Sequence, residues 1–470
     1  MSDELIIRER EPSGDELSLG YARGWDGVAQ LKFMPMSERR KHFYVIGASD
    51  TGKSKFLEHI IRQDVKNGVG FGILDPHGDL IEAVKEHLAL FTPLNLNERV
   101  VLIDPSDKDN SVCFNPLEMA EGEEAADVAA ELVEVFSKIW PNAWGERSDE
   151  IFRNTLIALI ENHLTLAEFS LILNVNEPAI RAKLTAHLEN IVCREFFEKF
   201  EAWDKRTKLE YTEPILNKVG KLLSNGRVRD IFSSPKSTFN LRDIMDNGKI
   251  LLVKLSKGNL KDASGLLGAF LLNKMEMAVL SRSDTRGSAR KPFYLYVDEF
   301  ENFATDSFLG MLAETRKYGL YVTLAHQDLA QLTPKLRSAI LTNCGIQVCF
   351  RVSRPDADIL AKETFVGVFE KPPSWEECIQ ELQTLLPRMC LIKSKVFGGI
   401  IKVEVPPVYP AWESLGCKEE DFIELMDVSD YLQLGQSYLR KREDIRKEYQ
   451  TRRVTLGASE KENEDFFEPI

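Results

Sequence analysis

One run of nine residues has the composition and spacing of a phosphate-binding loop. It consists of Gly47, Ala48, Ser49, Asp50, Thr51, Gly52, Lys53, Ser54 and Lys55. Residues 47–54 fit the pattern GxxxxGK[ST] at every position, and its glycines let backbone N–H groups wrap around phosphate oxygens. Lys53 would reach the β- and γ-phosphates of a nucleotide, and Ser54 would offer its hydroxyl to Mg²⁺. The motif therefore predicts ATP and Mg²⁺ as cofactors.

The surroundings of this loop separate it from a chance glycine-rich turn. The apolar run Phe43–Ile46 before it has the length of a strand, and the run Lys55–Val65 after it has helical periodicity. A helix that starts at the loop directs the positive end of its dipole at the phosphates. We therefore interpret residues 47–54 as the loop of a strand–loop–helix nucleotide site.

Two carboxylates follow a second apolar run. Phe293–Val297 has the length of a strand and is followed at once by Asp298 and Glu299. In open parallel sheets, ligands bind at the carboxyl ends of the strands. Asp298 would help to hold Mg²⁺, and Glu299 would polarise the attacking water. An acidic pair alone is as often a solvated strand end, but together with the loop it favours nucleotide hydrolysis.

Two further strand-length runs also end in polar side chains. After Tyr321–Ala325, we expect Gln327 to sense the γ-phosphate and His326 to pack beside it, with a simple polar strand cap as the alternative. Asp75 follows Phe71–Leu74 and would bind a water molecule of the Mg²⁺ shell. Alternatively, Asp75 only belongs to a tight turn.

The elements that position these residues alternate between apolar strands and helices. The strand-length runs are Phe43–Ile46, Phe71–Leu74, Val100–Ile103, Ile250–Leu255, Phe293–Val297, Tyr321–Ala325 and Ile346–Phe350. Continuously apolar strands separated by helices predict an α/β fold with a mainly parallel sheet that is covered on both faces. Between Leu117 and Leu241 the strands stop and one helical run follows another.

This pattern predicts a division of the chain into four parts. They are an N-terminal cap of short β or irregular structure (1–40), the α/β core (41–116 and 242–405), an all-α insertion (117–241) and a C-terminal tail that passes from helix to disorder (406–470).

Bulk composition narrows the class of protein. The chain has 470 residues, of which 43% are hydrophobic and 29% charged, as in a globular protein of two or three domains. No apolar run has the length needed to span a bilayer, and the polar, acidic N-terminus is unlike a secretory signal. The seven cysteines show no CxxC or zinc spacing and are typical of reduced thiols in the cytoplasm. A net charge of −14 gives no support to DNA binding by the whole surface.

Six motifs occur in a fixed order along the chain. They are the loop Gly47–Ser54, DPHGDL at Asp75–Leu80, FNPLE at Phe114–Glu118, KILLVKLSKG at Lys249–Gly258, YLYVDEFENFATDSF at Tyr294–Phe308 and ETRKYGLYVTLAHQ at Glu314–Gln327. Together they resemble the conjugative DNA-transfer ATPases of type IV secretion systems, the coupling-protein branch of the HerA/FtsK superfamily of P-loop ATPases. The resemblance covers roughly Leu31 to Val405. The loop is shared by many families, whereas the last two blocks are much more specific.

The resemblance implies a RecA-like core with an inserted all-α domain, a homohexameric ring and ATP-driven movement of DNA through a central pore. It also implies that Gln327 is a sensor and that Arg316 is an arginine finger that reaches the neighbouring subunit. From the residues alone, Arg316 would be a solvated arginine, and Arg351 is a weaker candidate of the same kind. Membrane-bound members have an N-terminal transmembrane region that this sequence lacks. The chain is therefore more similar to soluble relatives, or to an ATPase that docks on a separate membrane partner, and secretion-system or nuclease proteins are further partners.

Two other hypotheses stay open at this point. The first is a secretion or pilus-assembly ATPase that acts on protein and uses the same catalytic residues. Positive charge on pore loops distinguishes it from a DNA translocase, because DNA would lose its electrostatic grip without such charge. The candidate positive positions are Lys257, Lys261 and the loop Arg282–Lys291, for which a solvated linker is the favoured interpretation. The second is a nucleotide-dependent scaffold that recruits partners through Phe466 and Phe467 of its acidic tail, which is otherwise a disordered solubilising end.

Overall fold

The computed structural model describes most of the chain. The described residues are 7–8, 15–23, 28–91, 96–119, 122–140, 144–255, 262–303, 308–365, 374–414, 416–418, 420–422 and 434–457. Lys257, Lys261 and the tail residues Phe466 and Phe467 lie outside the described residues.

The strands are named in chain order. They are β1 (Ile7–Arg8), β2 (Glu16–Arg23), β3 (Ala29–Pro35), β4 (Phe43–Ile46), β5 (Gly70–Asp75), β6 (Val100–Ile103), β7 (Asn110–Ser111), β8 (Ile250–Lys254), β9 (Phe293–Val297), β10 (Leu320–His326), β11 (Ile346–Cys349), β12 (Met389–Ser394), β13 (Gly399–Glu404) and β14 (Arg440–Lys441).

The α-helices are named in the same way. They are α1 (Met36–Arg39), α2 (Lys53–Lys66), α3 (Asp79–Phe91), α4 (Leu96–Arg99), α5 (Ala125–Ile139), α6 (Glu146–Glu161), α7 (Phe169–Leu173), α8 (Pro178–Thr185), α9 (Ile191–Ala202), α10 (Lys205–Leu223), α11 (Gly226–Ile231), α12 (Leu241–Asn247), α13 (Asp262–Leu280), α14 (Phe308–Glu314), α15 (Pro334–Asn343), α16 (Arg354–Glu363), α17 (Trp375–Thr384), α18 (Ala411–Ser414) and α19 (Arg442–Leu456).

A twelve-stranded sheet organises the chain in the order β1-β3-β2-β13-β12-β11-β4-β10-β9-β5-β8-β6. The strands from β11 to β8 run parallel to their neighbours. Every residue of β4, β5 and β9 is buried, as expected for a parallel sheet covered on both faces. The predicted α/β fold with a mainly parallel sheet is confirmed.

The sheet continues beyond β11 as an antiparallel extension. β12 pairs with β11, β13 with β12, β2 with β13 and β3 with β2, all antiparallel. The first strands of the chain therefore extend the main sheet through β13.

The register of the parallel strands brings their carboxyl ends to one edge. Ile46 of β4 lies opposite His326 of β10, and Val297 of β9 lies opposite Leu74 of β5 and Leu324 of β10. The residues that follow these strands are therefore neighbours in space although they are far apart in sequence.

Contacts divide the chain into two compact units. The first comprises Met1–Val101, Leu241–Lys254 and Met275–Gln436, and the second comprises Leu102–Asn240, Leu255–Lys274 and Ser437–Ile470. The domain limits drawn from the sequence stay a prediction. The contacts assign α19 to the second unit together with helices α5 to α11.

Aromatic side chains form the core of the second unit. The ring of Phe136 lies 4.7 Å from that of Phe152 and 6.2 Å from that of Phe270, and Phe152 lies 5.1 Å from Phe169. The last helix packs on this unit through polar contacts as well. Tyr449 of α19, for example, donates its hydroxyl hydrogen to the carbonyl of Ala167 at 3.1 Å.

One helix corrects the expectation that no segment is apolar enough to cross a membrane. In the described residues, the helical segment Ala263–Asp284 has the length and composition of a membrane span. However, 67% of its apolar window is buried inside the protein, as in the core helix of a globular fold.

A buried ion pair joins the elements that precede and follow β4 in the first unit. Arg39 of α1 binds the carboxylate of Asp64 of α2, and the two side chains are 2% and 0% exposed. Tyr296 of β9 donates its hydroxyl hydrogen to Asp64 at 2.6 Å, and the Arg39 guanidinium lies 3.7 Å from the ring centre of Tyr294. Burial alone would lower the pKa of Arg39, but the interactions with Asp64 raise it overall.

Replacing Asp64 with alanine should destabilise the first unit by about 3–5 kcal/mol, because Arg39 would remain as an uncompensated buried charge. The measurement is chemical unfolding followed by circular dichroism. The control is Glu38→Ala, which breaks the part-exposed Lys41–Glu38 ion pair nearby and should cost less than about 1 kcal/mol. Equal losses in the two variants would contradict the structural role given to Asp64.

Candidate nucleotide-binding site

The predicted phosphate-binding loop connects β4 to α2. Gly52 stands immediately before the helix with a φ of 112°, a left-handed conformation that favours glycine. A Cβ atom at Gly52 would also lie only 3.1 Å from the Cα of Arg388. Both constraints explain why a glycine is needed directly before Lys53. Ser54 and Lys55 are exposed in the first turn of α2, where Lys55 pairs with Glu58 at 2.9 Å.

The Lys53 ammonium group is directed at the loop itself. It donates hydrogen bonds to the carbonyl of Gly47 at 2.5 Å and to that of Ala48 at 3.0 Å. Burial lowers the pKa of Lys53, and the nearby carboxylates Asp298 and Glu299 oppose this effect. The lysine is thus held among the loop carbonyls and electrostatically coupled to the acidic pair.

Two backbone segments, one after β11 and one before β12, hold the loop in place. The amide of Ala48 donates to the carbonyl of Arg351 after β11 at 2.8 Å, and the amide of Arg388 before β12 donates to the carbonyl of Thr51 at 2.8 Å. Arg388 has a φ of 66°. Sequence analysis missed Arg388, because a contact made by backbone atoms leaves no signal in the residue type.

The acidic pair lies where β9 ends. Asp298 is 7% exposed, and its amide donates to the carbonyl of Leu74 at the end of β5 at 3.0 Å. Burial, reinforced by the charge of Asp75, raises the pKa of Asp298 to about 6. A buried carboxylate whose ionised form lacks sufficient compensation is well suited to a cation, and the exposed Ser54 hydroxyl is the second predicted Mg²⁺ ligand.

Hydrogen bonds connect Glu299 to the loop. The side-chain amide of Gln327 donates to Glu299 Oε1 at 2.7 Å, and the hydroxyl of Ser49 donates to Gln327 Oε1 at 3.0 Å. On the other side, His77 Nε2 lies 2.9 Å from Glu299 Oε2, which also accepts from Asn302 at 3.3 Å. We call the series Ser49–Gln327–Glu299–His77 the glutamate relay. It joins the loop, β10, β9 and the turn after β5.

Sequence analysis predicted two members of this relay, Glu299 and Gln327, and placed Ser49 in the loop. It missed His77 and Asn302, although His77 belongs to the DPHGDL motif at Asp75–Leu80. Another acid in this region is Glu301, whose pKa burial raises to about 7. Its Oε2 is buried without a hydrogen-bond partner among the described residues.

Asp75 and His326 both have hydrogen-bond partners beside the site. The Asp75 carboxylate accepts hydrogen bonds from the amides of His77 at 2.8 Å and Ile81 at 3.2 Å, which favours the tight-turn interpretation. His326 is fully buried, and its Nε2 lies 2.5 Å from the hydroxyl of Tyr44. Burial lowers the pKa of His326 to about 3, so it packs as a neutral ring beside the site.

Arg316 lies away from the other predicted residues. It is exposed on the short 3₁₀ turn Thr315–Tyr318, before the first residue of β10, whereas Gln327 follows the last residue of that strand. At about 3.3 Å per residue, a seven-residue strand separates the two positions by roughly 23 Å. The side chain of Arg316 forms no hydrogen bond or ion pair with the residues that the structure describes. The candidate arginine finger is therefore at the opposite edge of the sheet from its own loop.

The loop, the acidic pair and the parallel sheet together define a P-loop NTPase. Comparison with known proteins makes this more specific, because residues 27–367 match the family described as the type IV secretion-system coupling protein DNA-binding domain. The match includes more than half of the chain, and the chain therefore belongs to that family.

Solved structures agree with this assignment at the level of the fold. The bacterial conjugative coupling protein TrwBdeltaN70 has 16% identity and a TM-score of 0.56, with 86% of this chain and 91% of that chain covered. TrwB in complex with ADP and Mg²⁺ has 15% identity and a TM-score of 0.54, with 85% and 92% covered. VirB4 of Thermoanaerobacter pseudethanolicus has 12% identity and a TM-score of 0.55, with 86% and 100% covered. No curated protein matches the sequence.

Replacing His77 with alanine should lower the kcat of ATP hydrolysis about tenfold with little change in KM. The reason is that Glu299 would keep its hydrogen bonds to Gln327 and Asn302 but lose the shorter of the two contacts to its Oε2 atom. Steady-state kinetics measure the effect, and His187→Ala, at an exposed histidine of the second unit, is the control.

A double-mutant cycle distinguishes this role from a general loss of structure. If His77 acts through Glu299, then His77→Ala should have no further effect in a Glu299→Gln background. Additive losses in the double variant would contradict the positioning role.

Proposed function

We propose that the chain is an ATP-hydrolysing DNA translocase of the HerA/FtsK type that works in the cytoplasm. In this proposal it couples hydrolysis to DNA movement in conjugative transfer or DNA processing. The observation that supports it best is the glutamate relay, because it connects the phosphate-binding loop directly to the carboxylate that would polarise water. Nucleotide storage alone would not require such a connection.

Each residue of the site receives a role in this proposal. The loop amides and Lys53 hold the phosphates, and Ser54 and Asp298 hold Mg²⁺, which neutralises charge on the phosphate oxygens when bound. Glu299 orients and polarises the attacking water. Gln327 contacts both the loop residue Ser49 and Glu299, so its displacement by a γ-phosphate would release the Glu299 carboxylate.

The position of Arg316 supports the assembly of several subunits into a ring. Its exposed guanidinium lies at the opposite edge of the sheet, too far away to act on the nucleotide of its own chain. A homohexameric ring in which Arg316 enters the site of the next subunit would explain its position. In such a ring, Arg316 would stabilise the charge that develops on the transferred phosphoryl group.

DNA is the substrate that family membership favours. The matched family is described as a DNA-binding domain. The loop Arg282–Lys291 supplies little of the charge that DNA would need, because Arg282 donates to the carbonyls of Tyr318 and Lys291 at 2.9 Å and Arg290 donates to that of Lys317 at 2.6 Å. Among the cationic side chains of this loop, those of Arg286 and Lys291 are exposed. Secretion-system or nuclease proteins are the further partners that we propose.

Replacing Glu299 with glutamine should lower ATP hydrolysis at least about 100-fold, because the neutral amide cannot polarise water as a carboxylate does. The rate is measured without DNA, with single-stranded DNA and with double-stranded DNA. Glu314→Gln, at an exposed carboxylate of the same unit, is the matched control.

This experiment tests the catalytic role of Glu299 and the choice of DNA as substrate independently of each other. Retained hydrolysis in Glu299→Gln would overturn the catalytic assignment. A wild-type rate that neither form of DNA changes would leave the site intact and point to a protein substrate instead.

Mixing two inactive variants tests the proposed action of Arg316 in the neighbouring subunit. Arg316→Ala and Lys53→Ala should each reduce hydrolysis about 1000-fold. A mixture should recover activity, because intact sites form where a subunit with Lys53 meets a subunit with Arg316. Lys317→Ala, at the adjacent exposed cation, should stay active. Absence of recovery in mixed assemblies would contradict the proposed role.

A further inference from the structure

A pocket rich in positive charge lies where α19 begins, within the second unit. Its volume is about 550 Å³. The lining includes five cationic side chains, those of Lys108, Lys441, Arg442, Arg446 and Lys447. It includes two carboxylates, those of Asp109 and Glu443. The pocket uses residues of α19, which lies outside the matched range 27–367.

The two arginines share a single buried acid. Arg442 Nη1 and Arg446 Nη2 each donate to Asp230 Oδ2 at 2.8 Å. The side chains of Arg442 and Asp230 are both 2% exposed, so water screens this charge poorly. The charge of Asp107 also acts on Arg442, so the two guanidinium groups face two carboxylates, and the excess of positive charge comes from the lysines that line the pocket.

Arg442 also has an unused donor. Its Nε donates to the carbonyl of Asp107 at 2.9 Å, and its Nη1 donates to the carbonyl of Arg227 at 2.9 Å. Its Nη2 is buried without any hydrogen-bond partner in the described part of the chain. A buried guanidinium nitrogen that lacks an acceptor costs free energy unless an acceptor is supplied. Arg442 lines the pocket, so an anion bound there would lie next to this guanidinium group and offset its charge.

The remaining charges reinforce this preference. Glu443 is paired with Lys447, and both side chains are well exposed. Lys108 and Lys441 form no side-chain hydrogen bond or ion pair with the residues that the structure describes. Lys441 precedes the first residue of α19 and caps the helix with no side-chain acceptor, so the positive end of the helix dipole faces the same region. Asp109 and Asp444 are the opposing charges, and both are exposed.

We propose that this pocket binds a phosphate group through Arg442, Lys108 and Lys441. A phosphodiester of a nucleic acid and a free phosphate ion share the chemistry that these groups recognise. The proposal does not depend on ATP hydrolysis, because every residue in it belongs to the second unit.

The test uses the full-length protein with Lys53→Ala, which weakens phosphate binding at the loop. In that background, Lys108→Ala/Lys441→Ala removes the two unpaired pocket lysines and leaves the buried Arg442–Asp230 pair intact. The matched control is Lys199→Ala/Lys221→Ala, which removes two exposed lysines of α9 and α10 in the same unit. Calorimetry measures binding of inorganic phosphate, and fluorescence anisotropy measures binding of a single-stranded oligonucleotide at several salt concentrations.

The pocket variant should bind inorganic phosphate about tenfold more weakly than the control variant. If the natural ligand is a nucleic acid, oligonucleotide binding should weaken as well, and the slope of log affinity against log salt should fall by about 1.4 for two lost phosphate contacts. A free phosphate ligand would leave oligonucleotide binding unchanged. Equal binding of both probes by the pocket and control variants would overturn the proposal, and loss of hydrolysis in Glu299→Gln would have no bearing on it.

Discussion

The buried contact between Arg39 and Asp64 is the constraint on which the nucleotide site depends. Asp64 belongs to α2, the helix that begins at the phosphate-binding loop, and its carboxylate also accepts from Tyr296 of β9, the strand that ends at Asp298. One carboxylate therefore fixes the helix that would hold the phosphates relative to the strand that would supply the catalytic acids. A buried ion pair allows its two side chains little movement, because separating them would leave each charge desolvated and without its partner. The pair thus sets geometry more than it adds stability.

The glutamate relay is a consequence of strand order. β4, β10, β9 and β5 are neighbours in the sheet and run parallel, so the residues that follow them meet at one edge. Ser49, Gln327, Glu299 and His77 come from four separate stretches of sequence, yet consecutive members are within 3.0 Å of each other. Glu299 has a φ of 43°, a left-handed conformation that directs the chain away from the strand at this point. The order of the strands in the sheet therefore determines which residues meet at the site.

The sequence was most informative where the physical signal is local. Phe43–Ile46 and Phe293–Val297 form strands within those limits, because a continuously apolar run between glycines and charges has few other solutions. The family resemblance was confirmed, and the roles of Glu299, Gln327 and Arg316 stay predictions that the geometry makes specific. Arg388 could not be found, since it holds the loop through its backbone amide. The partners of α19 could not be found either, because a polar helix does not reveal which distant surface will neutralise its arginines.

The assignment of α19 to the helical unit has a consequence for biosynthesis. That unit begins at Leu102, but Arg452 reaches Glu168 across 284 positions of sequence, and Tyr449 reaches Ala167 across 282, so these contacts form only after the intervening residues have been made. Glu168 is fully buried, so its charge lacks this partner until α19 leaves the ribosome. The residues between Glu168 and Tyr449 include much of the nucleotide-binding unit. A nascent chain therefore has the opportunity to assemble its catalytic part before its helical part is complete, and a chain that stops before Arg442 would lack these contacts of the helical part.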